Sequence, residues 1–507
     1  MTDPVIGFAV RREALEPAPP SNARMSVVGL CKPATKAANI AQEAFDAAFP
    51  LNQPVLFGSA SAKARMIEPD SSLGRDLTLI NAQLARLQSA AQIILVRVEA
   101  GANEAATIAN IVGNAAARTG IHAFLKAGAV VGAIPRLIGS PGFTHQRFAG
   151  VDAITVTTPG SGYTAAPTVT FTGGGSDPAK VLPTAHAVLG TGADDGKVME
   201  IVIDAAGSNL TAAPTIGFAG GGGTGAAATA TIADVANPIV AAWPAVLNAL
   251  YAIAVPDAGG ASRGEDVEAR ETFQSERIAH PVSPFVEMID ASGATVVHYG
   301  SAAVLGLYVR RDFENEGRPF KSIMNQPVYG ILGPSRPIEF SLTDGASEGQ
   351  DLLAHQIGPL VRGESGDDFA IAEGGFVFLG FEGTGEETIW RQIHKVRGRD
   401  FIELTAIRTL RQYLGRWSLT TQTIQAVVNT ASAILEKAQA RQEILGFTCR
   451  FDPDENNTSD LRSGHIYVDA RFEDVPVFRR ATLLSRPYQP ALQATIDQLI
   501  SAQTLIG

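Results

Sequence analysis

Histidines and cysteines are the residues of this sequence best suited to metal binding or nucleophilic chemistry, and the histidine spacing favours neither. The eight histidines are scattered, and no two lie three or four residues apart, as a helical metal-binding pair requires. They stand at positions 122, 145, 186, 280, 298, 355, 394 and 465. Each is expected to be an ordinary structural or surface histidine, and the sequence predicts no metal site.

The glycine-rich segments do not indicate phosphate binding or serine catalysis. Residues 381–386 are not a Walker A sequence, because they have no lysine to reach a phosphate and carry acidic residues that would repel one. The pattern Gly-x-Ser-x-Gly occurs at residues 260–264 and 345–349, but we expect neither segment to be a nucleophile elbow. We therefore predict that the protein is not an enzyme and has no cofactor.

The polar segment over residues 452–460 resembles a calcium-binding loop, with oxygen-bearing side chains at alternate positions. A loop of that type has glycine at its sixth position and glutamate at its twelfth, where this sequence has Asn457 and Ser463. A solvated loop within a hairpin is the better interpretation.

The two cysteines, Cys31 and Cys449, cannot form a disulfide framework or a zinc site by themselves. Cys449 alternates with Phe447 and Phe451 on one face of a predicted strand, so it is expected to be a small buried hydrophobe. Cys31 ends a strand before a Lys-Pro pair, so we expect it nearer the surface. In an oxidising environment the two cysteines could pair within or between subunits. An inter-subunit Cys31–Cys449 disulfide is the candidate site.

Composition and charge exclude several classes of protein. The length of 507 residues predicts about three domains. A content of 45% hydrophobic and 18% charged residues is enough for packed cores and excludes wholesale disorder. The net charge of −11, with no basic block, disfavours binding along DNA or RNA and onto anionic membranes. We expect neither a secretory signal nor a transmembrane helix, because no suitable apolar run occurs.

Strands alternate with helices in the first part of the chain, which predicts an α/β layer. The predicted elements are strands at residues 25–30, 54–58 and 92–98 and a helix at residues 73–90. In the last third of the chain, the sequence pattern predicts helices at residues 348–360, 401–417 and 424–445, and strands at residues 446–451 and 464–472. In the second of these helices, Leu404, Ile407, Leu410 and Leu414 fall along one stripe and are expected to be buried.

Residues 147–236 have a different pattern, with alternating apolar and small polar residues broken by glycine clusters. The pentapeptide Thr-Ala-Ala-Pro-Thr begins at Thr164 and again at Thr211, a period of 47 residues. This pattern predicts two copies of a β-rich unit. It is expected to be an insertion, because the α/β pattern resumes at Pro238.

We therefore predict a multidomain α/β (α+β) protein. Its predicted parts are an extended N-terminal arm (residues 1–24), a discontinuous α/β domain (25–146 plus 237–345), an inserted β-repeat domain (147–236), a C-terminal α+β domain (346–484) and a C-terminal arm (485–507).

Several short segments follow one another in a particular order. In the first half they are Gly29-Leu30-Cys31, residues 51–56, Val96-Arg97-Val98, Asn110-Ile111-Val112-Gly113, Thr119-Gly120-Ile121 and residues 135–143. In the second half they are the two helices at 401–417 and 424–445, residues 457–469 and Val475-Pro476-Val477. This order resembles contractile phage tail sheath proteins over most of residues 25–143 and 237–485. Cys31 departs from the family, in which a small or apolar residue is usual at this position.

The resemblance implies a structural subunit that polymerises helically around an inner tail tube and contracts to drive the tube through the host cell envelope. Residues 346–484 would be the polymerisation domain, residues 147–236 an outer domain, and both arms would add strands to neighbouring sheets. The implied partners are identical subunits, the inner tail tube protein, and baseplate and tail terminator or neck proteins. Direct nucleic-acid contact and membrane insertion are not implied.

The implied location is the virion, after assembly in the host cytoplasm. Two alternatives stay open at this point. One is the sheath of a related contractile injection system, a tailocin or a secretion system. The other is an adhesive, glycan-binding structural protein that acts through the repeats at residues 147–236.

Overall fold

The computed structural model describes residues 23–178 and 180–504, so the predicted arm over residues 1–24 lies almost entirely outside the described residues. The first described region alternates strands and helices. Its elements are β1 (Val27–Lys32), α1 (Gln42–Ala48), β2 (Pro54–Gly58), α2 (Ser72–Leu84), β3 (Gln92–Arg97), α3 (Glu104–Val112), α4 (Ala127–Val131) and β4 (Leu137–Gly139). Helices α2 and α3 begin where the side chains of Ser71 and Asn103 accept hydrogen bonds from backbone N–H groups of the first turn.

The next region is built from strands. They are β5 (Phe148–Ser161), β6 (Thr168–Gly173), β7 (Thr184–Leu189), β8 (Val198–Ala205), β9 (Pro214–Ala219) and β10 (Thr224–Val235). Strands β5 and β10 form an antiparallel ribbon, and the other four form a sheet in the order β8–β7–β6–β9. We call residues 148–235 the β module.

The two sequence repeats pair with each other inside the β module. Strand β6 begins at Thr168, the last residue of the first pentapeptide, and β9 begins at Pro214, within the second. The two strands run antiparallel. Thr170 lies opposite Gly217, its equivalent 47 residues later in the chain. On either side, Val169 faces Phe218 and Phe171 faces Ile216, so each pair repeats the other with the partners exchanged. The repeats are therefore related by an approximate twofold axis.

The chain then returns to alternating helices and short strands. These are α5 (Pro238–Leu250), β11 (Ile253–Ala254), α6 (Arg263–Glu271), β12 (Val282–Ser283), β13 (Val286–Ile289), β14 (Thr295–His298), α7 (Gly300–Glu314), β15 (Gln326–Pro327) and β16 (Gly333–Pro334). Helix α5 begins with Pro238 in its first turn, where the missing N–H costs no hydrogen bond, and Asn237 caps it.

A five-stranded sheet in the order β11–β4–β1–β3–β2 joins the regions before and after the β module. Its strands are parallel except β2, which runs antiparallel to β3. Strand β1 is buried along its whole length. Its side chains alternate between two cores: Val28 and Leu30 pack with α2 and α7, and Val27 and Cys31 pack with α3 and α5. Helices on both faces of a largely parallel sheet form an α/β layer.

The last third contains two long helices followed by a hairpin. Its elements are α8 (Glu348–Ala354), β17 (Gly358–Arg362), β18 (Phe376–Phe378), α9 (Ile393–Leu410), α10 (Thr421–Ala440), β19 (Ile444–Phe451), α11 (Thr458–Ser463) and β20 (Val468–Asp474). Strands β12, β17, β18 and β15 form one sheet, and β19 pairs only with β20 among the described residues. The predicted helix at 348–360 is wrong after Ala354, because the chain continues as β17.

Residues 476–507 form a second unit, which is described by itself. Its described part has no regular structure up to Tyr488 and then forms helix α12 (Gln489–Thr504).

The predicted mixed α/β fold is confirmed, because the chain forms several β-sheets together with packed helices. The exact division into five parts stays a prediction.

Candidate functional site

The most enzyme-like cluster of side chains lies inside the core. The Nζ atom of Lys32 donates to Asp76 Oδ2 at 2.5 Å and to Ser72 Oγ at 2.8 Å, and His298 Nε2 lies 2.7 Å from Asp76 Oδ1. The Lys32 and Asp76 side chains are fully buried, and that of His298 is nearly so. A substrate cannot reach them in this conformation. The network instead ties β1, α2 and β14 together.

Possible metal ligands do not converge in the described residues. No group of three or more His, Cys, Asp or Glu side chains between residues 23 and 504, apart from position 179, could hold a metal ion. In the segment that resembles a calcium loop, the Asn456 amide donates to the backbone oxygens of Asp452 and Tyr467, at 2.6 and 2.8 Å, and accepts from the Tyr467 N–H. The amide closes the loop, and Asn457 caps α11.

The structure places the two cysteines in different environments, each as a free thiol. Cys31 is fully buried in β1, its Sγ lies 3.7 Å from the Ile111 oxygen, and burial raises the pKa of its thiol. The expectation that Cys31 lies near the surface is wrong, because β1 is the middle strand of a sheet covered on both faces. Cys449 is half-buried on β19, with its Sγ 3.8 Å from the Val428 oxygen. The inter-subunit disulfide stays a prediction.

The β19–β20 hairpin, defined here as residues 444–474, has two open edges. The strands pair with each other from Ile444–Asp474 to Phe451–Val468. Neither outer edge pairs with a further strand among the described residues. Phe447, Cys449 and Phe472 cover one face by packing against α9 and α10 residues such as Ile402 and Leu435. A two-stranded sheet is marginally stable by itself, and its unpaired backbone groups can accept another strand.

Buried ion pairs fix the helices on which this hairpin packs and the residue from which it starts. Arg397 of α9 forms two hydrogen bonds with Asp312 of α7, at 2.6 and 3.0 Å. Arg318 binds Glu443, which directly precedes β19, through two nitrogens. Both pairs are almost fully buried. Because paired guanidinium and carboxylate groups fix orientation as well as distance, they position the hairpin on a rigid base.

Apolar side chains are exposed along the second unit. Phe478, Leu483, Leu484 and Tyr488 are each more than 70% exposed. Helix α12 likewise exposes Leu492, Ile496, Leu499 and Ile500 on one stripe. Such a run of exposed large hydrophobic residues is typical of a segment that packs on a partner.

The β module offers little for sugar stacking, because Tyr163 and Phe171 are buried and Phe218 packs in the same core cluster as Tyr163. Among the described residues, none of the helices combines the length and apolarity needed to span a bilayer.

Comparisons with known proteins point to one kind of assembly. No family model matches the chain. The chain is 26% identical, over 239 residues, to a putative prophage major tail sheath protein of Pseudomonas aeruginosa (strain UCBPP-PA14). It is 23% identical, over 249 residues, to the tail sheath protein of Escherichia phage P2. These alignments cover 47% and 49% of this chain and 58% and 60% of the relatives, so the chain spans less than two thirds of either relative.

Solved structures match nearly end to end. The helical sheath of the anti-feeding prophage, in its contracted state, gives a TM-score of 0.55 at 12% identity, covering 96% of this chain and 99% of that one. The contracted PVC sheath complex of an extracellular contractile injection system gives 0.55 at 10% identity, covering 96% and 98%. The chain has the fold of contractile sheath proteins. The resemblance predicted from the sequence is therefore confirmed.

The names of these sheath relatives describe structural proteins, which agrees with the prediction of a non-enzymatic role. The sequence interpretation missed one surface of the sheath fold. Of the predicted stripe, Leu404 is buried, but Ile407 lies on an exposed face of α9. Leu414 is exposed because α9 ends at Leu410, before it. The absence of any acidic residue from 404 to 435, beside three arginines, is a sequence signal that could have indicated an exposed basic surface.

Proposed function

We propose that this chain is the structural subunit of a contractile tail sheath, which polymerises helically around an inner tail tube and contracts to drive the tube through the host cell envelope. The observation that carries the proposal is the match over 96% of the chain to sheath structures in their contracted state. The tail sheath proteins among its sequence relatives support a phage tail as its location.

In this proposal, assembly works by strand addition between subunits. The open edges of the β19–β20 hairpin would accept strands from the terminal arms of neighbouring copies, at residues 1–24 and 485–507. In the C-terminal arm the strand would come from the stretch without regular structure that precedes α12. Main-chain hydrogen bonds are largely independent of side chains, so such joints can persist while subunits move. Repeated head-to-tail contacts between identical copies that do not close generate a helical tube.

The inner tail tube, the baseplate and the tail terminator or neck proteins would be the other partners. The β module, within the predicted insertion at 147–236, would lie on the outside of the tube as an outer domain. A disulfide between Cys31 and Cys449 of different subunits is testable by non-reducing electrophoresis of assembled material. The burial of Cys31 weighs against it, because β1 would first have to leave the sheet.

A second candidate is the sheath of a related contractile injection system rather than of a phage. The structural neighbours from the anti-feeding prophage and from an extracellular contractile injection system support it, whereas the sequence relatives support a phage. Particles purified from the producing organism would distinguish the two, since only a phage carries a DNA-filled head.

The experiment that tests the function is negative-stain electron microscopy of the full chain, alone and co-expressed with its inner tube protein. We expect hollow helical tubes. Deleting residues 488–507, or separately 1–20, should abolish the tubes while the monomer keeps its unfolding midpoint; the first deletion should lower the helical circular dichroism signal only by the contribution of α12. Gln493→Ala in α12 is the matched control and should still assemble. Dispersed particles under every condition, including with the tube protein, would contradict the sheath function.

A further inference from the structure

Charge is sharply segregated in the last third of this acidic chain. Residues 363–390 contain seven acidic residues and no lysine, arginine or histidine. Residues 404–435 contain three arginines and no acidic residue. Each stretch includes an exposed connection: residues 363–374, here called the acidic loop, join β17 to β18, and residues 407–419, here called the basic elbow, include the turn between α9 and α10.

The basic elbow combines exposed arginines with exposed apolar side chains. Arg411 and Arg416 are exposed, and within the described residues neither forms an ion pair. Leu414 is 77% and Trp417 52% exposed. The elbow is ordered by Tyr413, whose carbonyl oxygen accepts from the Trp417 N–H and whose hydroxyl lies 3.3 Å from Thr430 Oγ1 on α10. Arginine and tryptophan, both exposed on this ordered surface, are among the residues enriched in binding hot spots.

The acidic loop has the opposite charge and its own exposed aromatic residue. It carries Glu364, Asp367, Asp368 and Glu373, all exposed and none ion-paired within the described residues. Phe369 is 54% exposed, while its backbone oxygen accepts from the Leu342 N–H and its N–H donates to Asp367 Oδ1. The backbone of the loop is therefore held in place with its acidic and aromatic side chains turned to solvent.

We propose that the basic elbow of one subunit binds the acidic loop of a second copy of this chain, with Arg411 and Arg416 paired to Asp367 and Asp368 and with Trp417 and Leu414 packed on Phe369. This inference rests on the proposed polymerisation and names one contact within it. Head-to-tail assembly requires two different, complementary surfaces on one chain. The elbow and the loop complement each other in charge, and each has exposed apolar side chains to bury.

A second copy is the occupant that the charges favour. The chain has a net charge of −11, so copies repel one another over most of their surfaces, and a basic surface without acidic residues is where attraction can overcome this repulsion. Complementary charges across an interface also fix its register and exclude wrong partners.

The test is a charge swap measured by sedimentation and negative-stain microscopy of tubes. The pair Arg411→Glu/Arg416→Glu, and separately Asp367→Lys/Asp368→Lys, should each raise the concentration needed for assembly at least about tenfold. Combining the four changes should restore assembly to within about threefold of the wild type. Arg118→Glu and Glu99→Lys, at exposed sites outside both surfaces, are the matched controls and should assemble normally.

Other results would contradict the proposed contact between the basic elbow and the acidic loop. Normal assembly by both reversed variants would mean that neither surface is used. Loss from the elbow variant alone, without rescue by the loop changes, would mean that the elbow binds a different acidic partner, such as another tail protein. All variants should keep the wild-type unfolding midpoint as monomers, because the altered side chains are exposed.

A cross-linking experiment tests the same contact without disturbing its charge. Arg411→Lys places a reactive amine at the elbow, and a carbodiimide then joins amines to carboxylates in direct contact. Mass spectrometry of cross-linked tubes should identify a peptide pair linking position 411 to Asp367 or Asp368. Tubes that form but lack this link would overturn the proposal and leave the sheath function standing. If wild-type chain never forms tubes, the sheath function itself fails.

Discussion

The central sheet and the β19–β20 hairpin differ in how their strands are paired and covered. In the five-stranded sheet, β1 has a neighbour on each side and helices on both faces, and all six of its residues are buried. In the hairpin, each strand has one neighbour, and only one face is packed. The sheet is complete within a single chain, whereas the hairpin leaves backbone donors and acceptors for a further strand.

This difference separates stability from assembly. Burial on both faces makes the sheet the main source of folding free energy, since apolar area removed from water scales with stabilisation. The hairpin contributes less to the monomer because its outer edges are still hydrated. Changes in the sheet should therefore unfold the chain, and changes in the hairpin should mainly alter local opening.

The largest effect is expected in the core beside the sheet. Trp243 of α5 is fully buried against the face that also contains Val27 and Cys31. Trp243→Ala should lower the free energy of unfolding by about 3–5 kcal/mol, because it leaves a large cavity. Urea titration followed by circular dichroism measures this change. A loss below about 1 kcal/mol would contradict the assignment of this core as the main stabilising region.

Acid should weaken the packed regions of the chain through two buried histidines. Burial lowers the pKa of His280 and of His394 to about 4, from about 6.5 in an unfolded chain. Between pH 6.5 and 4 the unfolded chain therefore binds more protons, so the stabilisation is complete above pH 6.5 and is lost as the pH falls. Each histidine should account for about 3 kcal/mol. The one histidine of the hairpin, His465, is exposed.

Urea titrations at pH 7.0, 5.5 and 4.5 measure this loss. His280→Asn should remove most of the roughly 3 kcal/mol that this histidine contributes to the pH dependence, and His465→Asn, the control, should leave the pH dependence unchanged. An identical pH dependence in the wild type and the His280→Asn variant would rule out this explanation of acid sensitivity.

The smallest effect is expected inside the hairpin loop. Asn456→Ala removes the amide that joins the loop to both backbone groups of Tyr467. It should cost about 1 kcal/mol, because the freed backbone groups can bind water. Hydrogen exchange should accelerate for amides of residues 444–474 and stay unchanged in β1 and β3. Faster exchange in the central sheet as well would mean that the hairpin and the sheet open together. Asp454→Asn, on the exposed part of the loop, is the control.

Strand positions in the α/β layer could be predicted from sequence because apolar runs bounded by turns have few alternatives. Strand β2 is found at residues 54–58 as predicted, and β1 and β3 are within two residues of prediction. The environment of Cys31 could not be predicted from its neighbours. Its burial depends on α3 and α5, which lie 73 or more positions away in the chain and cover β1 only after folding.

The exposed surfaces were harder to predict than the core. A stripe of leucines at helical spacing predicts burial, yet the chain turns after Leu410 and leaves Leu414 in solvent. The contact between the paired repeats could not be derived either, because a 47-residue period shows that two units exist and not that they pair. The buried Arg397–Asp312 pair joins residues 85 positions apart, with no local signal.

The β module begins and ends at adjacent points. Phe148, its first strand residue, pairs with Val235, its last, so the chain leaves and rejoins the α/β layer through one two-stranded stem. With a stem of this kind, the length and fold of the inserted segment have little effect on the stability of the α/β layer, because closing a longer loop costs little extra entropy. Evolution, or a protein engineer, can therefore exchange the entire module for another fold or a short turn at this stem, and diversify the surface of the molecule without redesigning its core.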